Sequence, residues 1–316
     1  MIGYNRLGIN GRLGNQMFQY AALRGIAAKH NYQWCIPPLD YNTLPMAEYV
    51  LFDGFKMGTV GERNFGFVPQ NCPTIGESSH DFDDNLFENC PDNVNLDGYR
   101  QSEKYFKHIE DVIREDFTFK DEILEPCQEF IKDYGDDIIF LHVRRNDSTG
   151  RPEFFPIADA RWFEEMLEHF PKDTPVLILT DKMDWVKSQK LFEQDRFLLQ
   201  EHREYSKNLV WNGRGKMEYT LSPWIDLCLM SLCNGGIIPN STFSWWGAWL
   251  QKSKDKKIVY QHPYYGPNFT SPNGKDYNEC YIDIKDMHPK SWVRGHLKDE
   301  YIDPVHMDSD NEREMQ

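Results

Sequence analysis

Three short segments combine glycines, cations and hydroxyls in patterns that suit phosphate chemistry. Gly11-Arg12-Leu13-Gly14-Asn15-Gln16 precedes apolar residues at helical spacing. Its glycines let backbone approach a ligand, and the helix start offers unpaired N–H groups with a positive partial charge. A tight strand-to-helix turn accounts for the same residues equally well. His142-Val143-Arg144-Arg145-Asn146-Asp147 leaves an apolar run. Strand alternation places His142 and Arg144 on one face, Val143 and Arg145 on the other. A guanidinium can clamp two phosphate oxygens, and Asp147 can fix that guanidinium or meet a base or sugar; a structural Arg–Asp ion pair is the plainer alternative. The third segment runs from Asn240-Ser241-Thr242-Phe243 to Leu250. Hydroxyls and fresh N–H donors at a helix start again suit phosphate oxygens, and the aromatics are read as packing residues. Thr180-Asp181, after another apolar run, offers a carboxylate to a ribose hydroxyl or guanine edge, or an N-cap.

Other nucleotide and hydrolytic chemistries find no motif. Neither Gly-x4-Gly-Lys-[Ser/Thr] nor Gly-x-Gly-x-x-Gly occurs, nor does a Gly-x-Ser-x-Gly elbow or a His-Glu-x-x-His pair. Asp81-Phe82-Asp83 has the spacing of a metal-binding acidic pair, but with Asp84 adjacent it reads as a solvated acidic turn. No metal is expected.

The elements that must position these segments alternate along the chain. Tyr4 to Ile9 reads as a strand, the Gly11 segment as the loop into a helix, and Gln33 to Pro37 as a second strand. From Pro38 to Pro91 the pattern dissolves into loops. Val94 to Tyr99 reads as a strand, and Ser102 to Asp116 and Lys120 to Tyr134 as helices, the first capped by Ser102. Strands at 138–143, 176–180, 236–239 and 258–261 then alternate with helices at 158–170, 183–192, 222–233 and 241–250, the pattern of a doubly wound α/β sheet. Arg294 to Gln316 carries seven acidic residues and little apolar content, which predicts a mobile tail.

A chain of 316 residues exceeds what one core usually serves, so two domains are expected. Its 35 Lys and Arg against 50 Asp and Glu give a net charge of −15, which excludes a broadly nucleic-acid-binding surface and requires any anionic ligand to be met by local cations. The opening Met1-Ile2-Gly3-Tyr4-Asn5-Arg6 lacks a basic stretch followed by an apolar core, so export is not expected. The long uncharged stretch from Leu227 to Leu250 is broken by Asn234-Gly235-Gly236, Pro239 and Asn240, unlike a membrane span. Seven cysteines without a CxxC pair point to reduced, mostly buried thiols in a cytoplasmic protein. Peripheral association with a membrane is compatible with that location.

Four blocks in family order, Gly11 to Ala21, Gly98-Tyr99-Arg100-Gln101-Ser102-Glu103-Lys104-Tyr105-Phe106, His142 to Asp147 and Asn240 to Leu250, resemble the signature blocks of the α-1,2-fucosyltransferases, glycosyltransferase family 11. The resemblance implies a GT-B-like α/β fold of two Rossmann-like domains with the donor site in the cleft between them. Residues 1–135 would form the acceptor side, 136–293 the GDP-fucose-binding domain, and 294–316 the tail. It implies inverting, metal-independent transfer of L-fucose from GDP-fucose to the 2-hydroxyl of a galactoside in a glycan. GDP-fucose is a co-substrate and no cofactor is implied. Arg144, matching the first arginine of the shared His-x-Arg-Arg-x-Asp block, would meet the donor diphosphate, with Asp147 as its catalytic companion. Arg12, Gly14, Asn15, His142, Asp181, Asn240, Ser241, Thr242 and Phe243 would complete the donor site. Asp147 and His142 are the candidates for a general base. The chain departs from the family at Asn146-Asp147-Ser148, where Gly-Asp-Tyr is usual, and at Lys182, where a second acid is common. Two alternatives stand beside this: a fucosyltransferase of other linkage or protein acceptor, and a noncatalytic sugar-binding protein exploiting its 9 Trp, 16 Tyr and 20 Phe.

Overall fold

In the computed structural model, which describes residues 1–9, 11–39, 50–135, 137–145, 154–199, 223–266 and 285–303, two parallel sheets are flanked by helices. β1 (Ile2–Gly3) leads through a turn into α1 (Leu13–His30), and β2 (Trp34–Cys35) returns beside β1. Then come α2 (Leu51–Gly54), β3 (Thr74–Ile75), α3 (Asp84–Asn89) and β4 (Asn95–Leu96). The first sheet has the order β2-β1-β4-β3. α4 (Glu110–Asp116) and α5 (Asp121–Lys132) connect it to the second.

The second sheet grows outward from its centre in two directions. β5 (Ile139–Val143), α6 (Ala160–Leu167), β6 (Val176–Thr180), α7 (Met183–Ser188) and β7 (Phe197–Leu199) build one flank. α8 (Pro223–Leu232), β8 (Gly235–Ile238), α9 (Thr242–Leu250), β9 (Lys257–His262) and β10 (Val293–His296) build the other, in the order β10-β9-β8-β5-β6-β7. β5, β6 and β8 are buried throughout, as strands covered on both faces must be, which is why they read as unbroken apolar runs. Chain order reverses between β1 and β4 in the first sheet and between β5 and β8 in the second. Such switch points open a crevice beyond the strand carboxyl ends, where ligands bind in open α/β sheets.

α1 and α9 join the two halves. The Phe18 ring lies 4.5 Å from Trp245 and 4.9 Å from Trp246, and Phe106 stacks on Trp246 at 5.4 Å. The tryptophans of α9 thus pack a core that is continuous from the first sheet to α8 and α9. A second core lies across the opposite face of β5 and β6, under α6. No helix among the described residues is long and apolar enough to cross a membrane.

Some expected elements differ. Tyr4 to Ile9 is not a strand: Leu7 and Ile9 donate to the carbonyls of Tyr4 and Arg6, and Tyr4 and Leu7 are buried as turn residues after β1. Their apolarity reflects burial, not extension. The helix expected over 102–116 is broken into turns at Glu103–Tyr105 and Lys107–Ile109 before α4. Phe106, between them, leaves helical geometry at φ −131°, and its ring reaches α1 and α9. The helix expected over 183–192 stops at Ser188, followed by a turn at Lys190–Glu193. The expected tail at 294–316 is corrected at its start. Arg294 to His296 complete β10 on β9, covering an edge that would otherwise expose unpaired backbone, and Asp303 N–H donates to Ile157 O at 2.8 Å. The remainder of that stretch lies outside the described residues.

Candidate active site

Each expected phosphate segment starts at a switch point. The first precedes α1, whose N-cap, Arg12, makes no side-chain cap and whose first turn holds no acid. The third starts α9 beyond β8, and the same holds there: Ser241 makes no side-chain cap and the first turn has no acid. The two helix N-termini meet. Gly14 packs so closely on α9 that an added Cβ would lie 2.6 Å from Thr242 Oγ1 and 2.7 Å from the Phe243 amide nitrogen. Trp246 Nε1 donates to Gly14 O at 3.0 Å, a bond spanning 232 positions of sequence. Two positive helix ends held side by side favour an anion between them.

β5 delivers the arginines beside that junction. Phe140 belongs to the core on the α9 side, and Leu141 and Val143 to the core on the α6 side. His142 and Arg144 accordingly share the α9 side. Arg144 is half-buried, and its Nη1 donates to Asn240 O at 2.6 Å. The His142 ring lies 6.0 Å from Phe243. Burial first, and the Arg144 charge second, push the His142 imidazole down to about 3, so at neutral pH it is uncharged. Its buried Nδ1 has no hydrogen-bond partner among the described residues. Such an imidazole is a poor proton acceptor, which weakens its candidacy as general base.

Arg145 takes the opposite face. Its Nη2 pairs with Asp303 Oδ2 at 2.6 Å, and its guanidinium lies 4.1 Å from the Trp185 ring centre. The alternative of a structural ion pair therefore describes Arg145, with Asp303 in the role considered for Asp147. Asp147 itself, with Asn146 and Ser148, lies outside the described residues. Asp181 is not an N-cap. Its Oδ1 accepts from the Arg145 amide at 2.8 Å, tying the end of β5 to β6, while Lys182 stands at the cap position of α7.

The remaining expected residues stand around the helix junction. Asn240 is buried and its Nδ2 donates to Pro156 O and Tyr264 O, each at 3.2 Å, so it shapes the turn after β8. Ser241 is buried, whereas Thr242 and Phe243 are half-buried. Arg12 is exposed; Asn15 is half-buried with its Oδ1 accepting from Gln101 Nε2 at 2.9 Å.

Gln101 and Tyr264 have no role in the sequence reading. Gln101 belongs to the Gly98 to Phe106 block, and it follows β4, the partner of β1 at the first switch point. At Gly98 the backbone has φ +108°, and a Cβ would collide with Glu77, whose two carboxylate oxygens accept the Tyr99 and Arg100 amides at 2.8 Å. The turn so fixed presents Gln101 to Asn15. Tyr264, after β9, accepts the Thr242 N–H; burial outweighs that bond and the Arg144 charge and pushes the phenol up to about 12. Its only signal in sequence is the aromatic pair after the strand.

Among the described residues no group of three or more His, Cys, Asp or Glu could hold a metal ion. Asp83 of the acidic pair caps α3 by accepting Leu86 N–H at 2.8 Å, and Asp81 lies 3.8 Å from Lys285 Nζ.

The family model described as Glycosyl transferase family 11 matches residues 1–279. The galactoside 2-alpha-L-fucosyltransferase SEC1 of Bos taurus is 25% identical over 286 residues, covering 86% of this chain and 69% of its own. The galactoside alpha-(1,2)-fucosyltransferase 2 of Oryctolagus cuniculus is 26% identical over 254 residues, covering 76% and 65%. The chain thus spans about two thirds of the length of these relatives. Among solved structures, the fucosyltransferase NodZ from Bradyrhizobium superposes with a TM-score of 0.48 at 14% identity, covering 79% of this chain and 92% of that one.

Proposed function

This chain belongs to glycosyl transferase family 11, and from that membership we propose that it transfers L-fucose from GDP-fucose to the 2-hydroxyl of a galactoside, with inversion and without a metal ion. The observation that carries the reading is the junction of the α1 and α9 N-termini at Gly14 and Thr242, with Arg144 beside it. In this reading the first sheet and its loops form the acceptor side. The second sheet, extended to residue 303, holds the donor, and the arrangement corresponds to a GT-B-like fold.

The chemistry follows from where charge develops. As the bond from fucose to phosphate breaks, negative charge grows on the diphosphate. Arg144 and the two helix ends meet it, and fixed donors of this kind are worth about 3 to 4 kcal/mol each. The cations and helix dipoles do the work that a divalent ion does elsewhere. Neutral His142 beside Arg144 adds no second positive charge. Asp147 is the proposed companion of Arg144 and base for the acceptor hydroxyl. An oxocarbenium-like transition state needs that proton removed only late. The cytoplasmic location expected from seven cysteines without a CxxC pair is part of the proposal.

Release of GDP from GDP-fucose against a panel of galactosides, in excess chelator, tests the proposal. Transfer to the galactose 2-hydroxyl supports it. Transfer to another hydroxyl or to a protein moves the acceptor. Loss of transfer in chelator, restored by Mn²⁺ or Mg²⁺, overturns metal independence. No effect of GDP on the melting temperature leaves the sugar-binding alternative.

A further inference from the structure

We propose that Asp303 is a positioning residue: by neutralising Arg145 it fixes the carboxyl end of β5, and through it the presentation of Arg144 on the other face. The proposal rests on the donor-site reading above. Asp303 lies beyond the residues 1–279 that the family model matches, so membership of the family assigns it no role.

The ion pair is partly sheltered, with side-chain exposures of 8% for Arg145 and 21% for Asp303. Backbone structure, more than side-chain reach, sets where the carboxylate stands. Ala158 and Ile302 form an antiparallel bridge, Asp159 N–H donates to Tyr301 O at 2.9 Å, and Asp303 N–H donates to Ile157 O at 2.8 Å. Lys298 Nζ pairs with Glu165 of α6 at 2.7 Å. Residues 298–303 are thus a strap laid along the start of α6, ending on Arg145.

Without the carboxylate, Arg145 becomes a buried cation whose Nη1 already lacks a partner among the described residues. It must then move toward water or toward another carboxylate. The acid already bonded to its own amide is Asp181. Either response disturbs the link between β5 and β6 one residue from Arg144. Displacements of about 1 Å in a positioned group can cost about a hundredfold in rate. Because Arg144 acts most on charge that develops during bond breaking, turnover falls more than ground-state affinity.

The full chain carrying Asp303→Asn, measured for kcat, KM for GDP-fucose, GDP affinity and melting temperature, tests this. The expected result is a kcat at least about tenfold lower with GDP affinity within about twofold of the parent. Asp303→Glu, which keeps the charge, is expected between the two, about two- to fivefold below the parent. Parental kcat in Asp303→Asn, with only the melting temperature lowered, overturns the proposal, as does Asp303→Glu no faster than Asp303→Asn. Should Asp303→Asn not fold, parental kcat in Asp303→Glu overturns it. A parent that transfers no fucose refutes the function instead. The strap is then judged on exchange of the Arg145 amide, expected at least about tenfold faster in Asp303→Asn and overturned by parental protection.

Discussion

Gly14 lies against Thr242 with no room for a side chain between them: a Cβ there would stand 2.6 Å from Thr242 Oγ1 and 2.7 Å from the Phe243 amide nitrogen. Backbone cannot swing aside as a side chain can, so Gly14→Ala must push α1 and α9 apart. It should destabilise the fold by about 1 to 3 kcal/mol. It should also reduce the rise in melting temperature that GDP produces. A parental melting temperature with a parental GDP shift shows that this approach does not set the spacing of the helix ends.

Arg144→Lys keeps a positive charge but removes the planar fork. Turnover should fall at least about a hundredfold, equivalent to about 2.7 kcal/mol of transition-state stabilisation, with a smaller loss of GDP affinity. Arg145→Lys is the control. It retains a charge for Asp303 and loses the Trp185 contact, so it should mainly lower stability, by about 1 to 3 kcal/mol. The reverse pattern in folded proteins would place the diphosphate on the other face of β5.

Thr242→Val removes one hydroxyl at the start of α9 with little change of shape. The cap position of α9 belongs to Ser241, which makes no side-chain cap, and the Thr242 N–H is independent of the substitution. GDP affinity should weaken by about 1 to 2 kcal/mol, or about five- to thirtyfold, with little change in the melting temperature of the free protein. Unchanged affinity, measured by calorimetry, would make this hydroxyl structural.

His142 should make the protein acid-labile. Its folded-state pKa of about 3 lies below the ordinary value of 6.5, so the unfolded chain binds a proton between those limits that the folded chain does not. Stability from this group is present above 6.5 and is lost as pH falls toward 3. The loss at pH 4 is about 3 kcal/mol. His142→Gln should abolish that part of the pH dependence. Denaturant melts at pH 7 and pH 4 giving the same difference in parent and variant would show that burial does not hold the imidazole neutral.

The sequence by itself determined much of the second sheet. Ile139–Val143, Val176–Thr180 and Gly235–Ile238 are buried on both faces, so each had to be a continuous apolar run ended by polar residues. It also determined the opposite facing of Arg144 and Arg145, because strand alternation is local geometry. What came after the runs, glycines, arginines and hydroxyls, marked the site. The first sheet was less legible: its strands are two residues long, too short for a periodic signal, and Tyr4 and Leu7 looked extended because they are buried.

Only the tertiary structure decided which of these segments share a site and what their side chains already hold. Gly14 reads alike whether its helix faces water or another helix; packing of Phe18 on Trp245 and Trp246 puts it on Thr242. Asp181 reads alike as ligand or cap in sequence; in the fold Lys182 takes the cap position and one Asp181 oxygen accepts the Arg145 amide. Asp303 looked like part of an acidic tail, because composition records the charge of a segment and not the buried guanidinium waiting for it. Those contacts join residues far apart in sequence, and their energies depend on burial that no local pattern encodes.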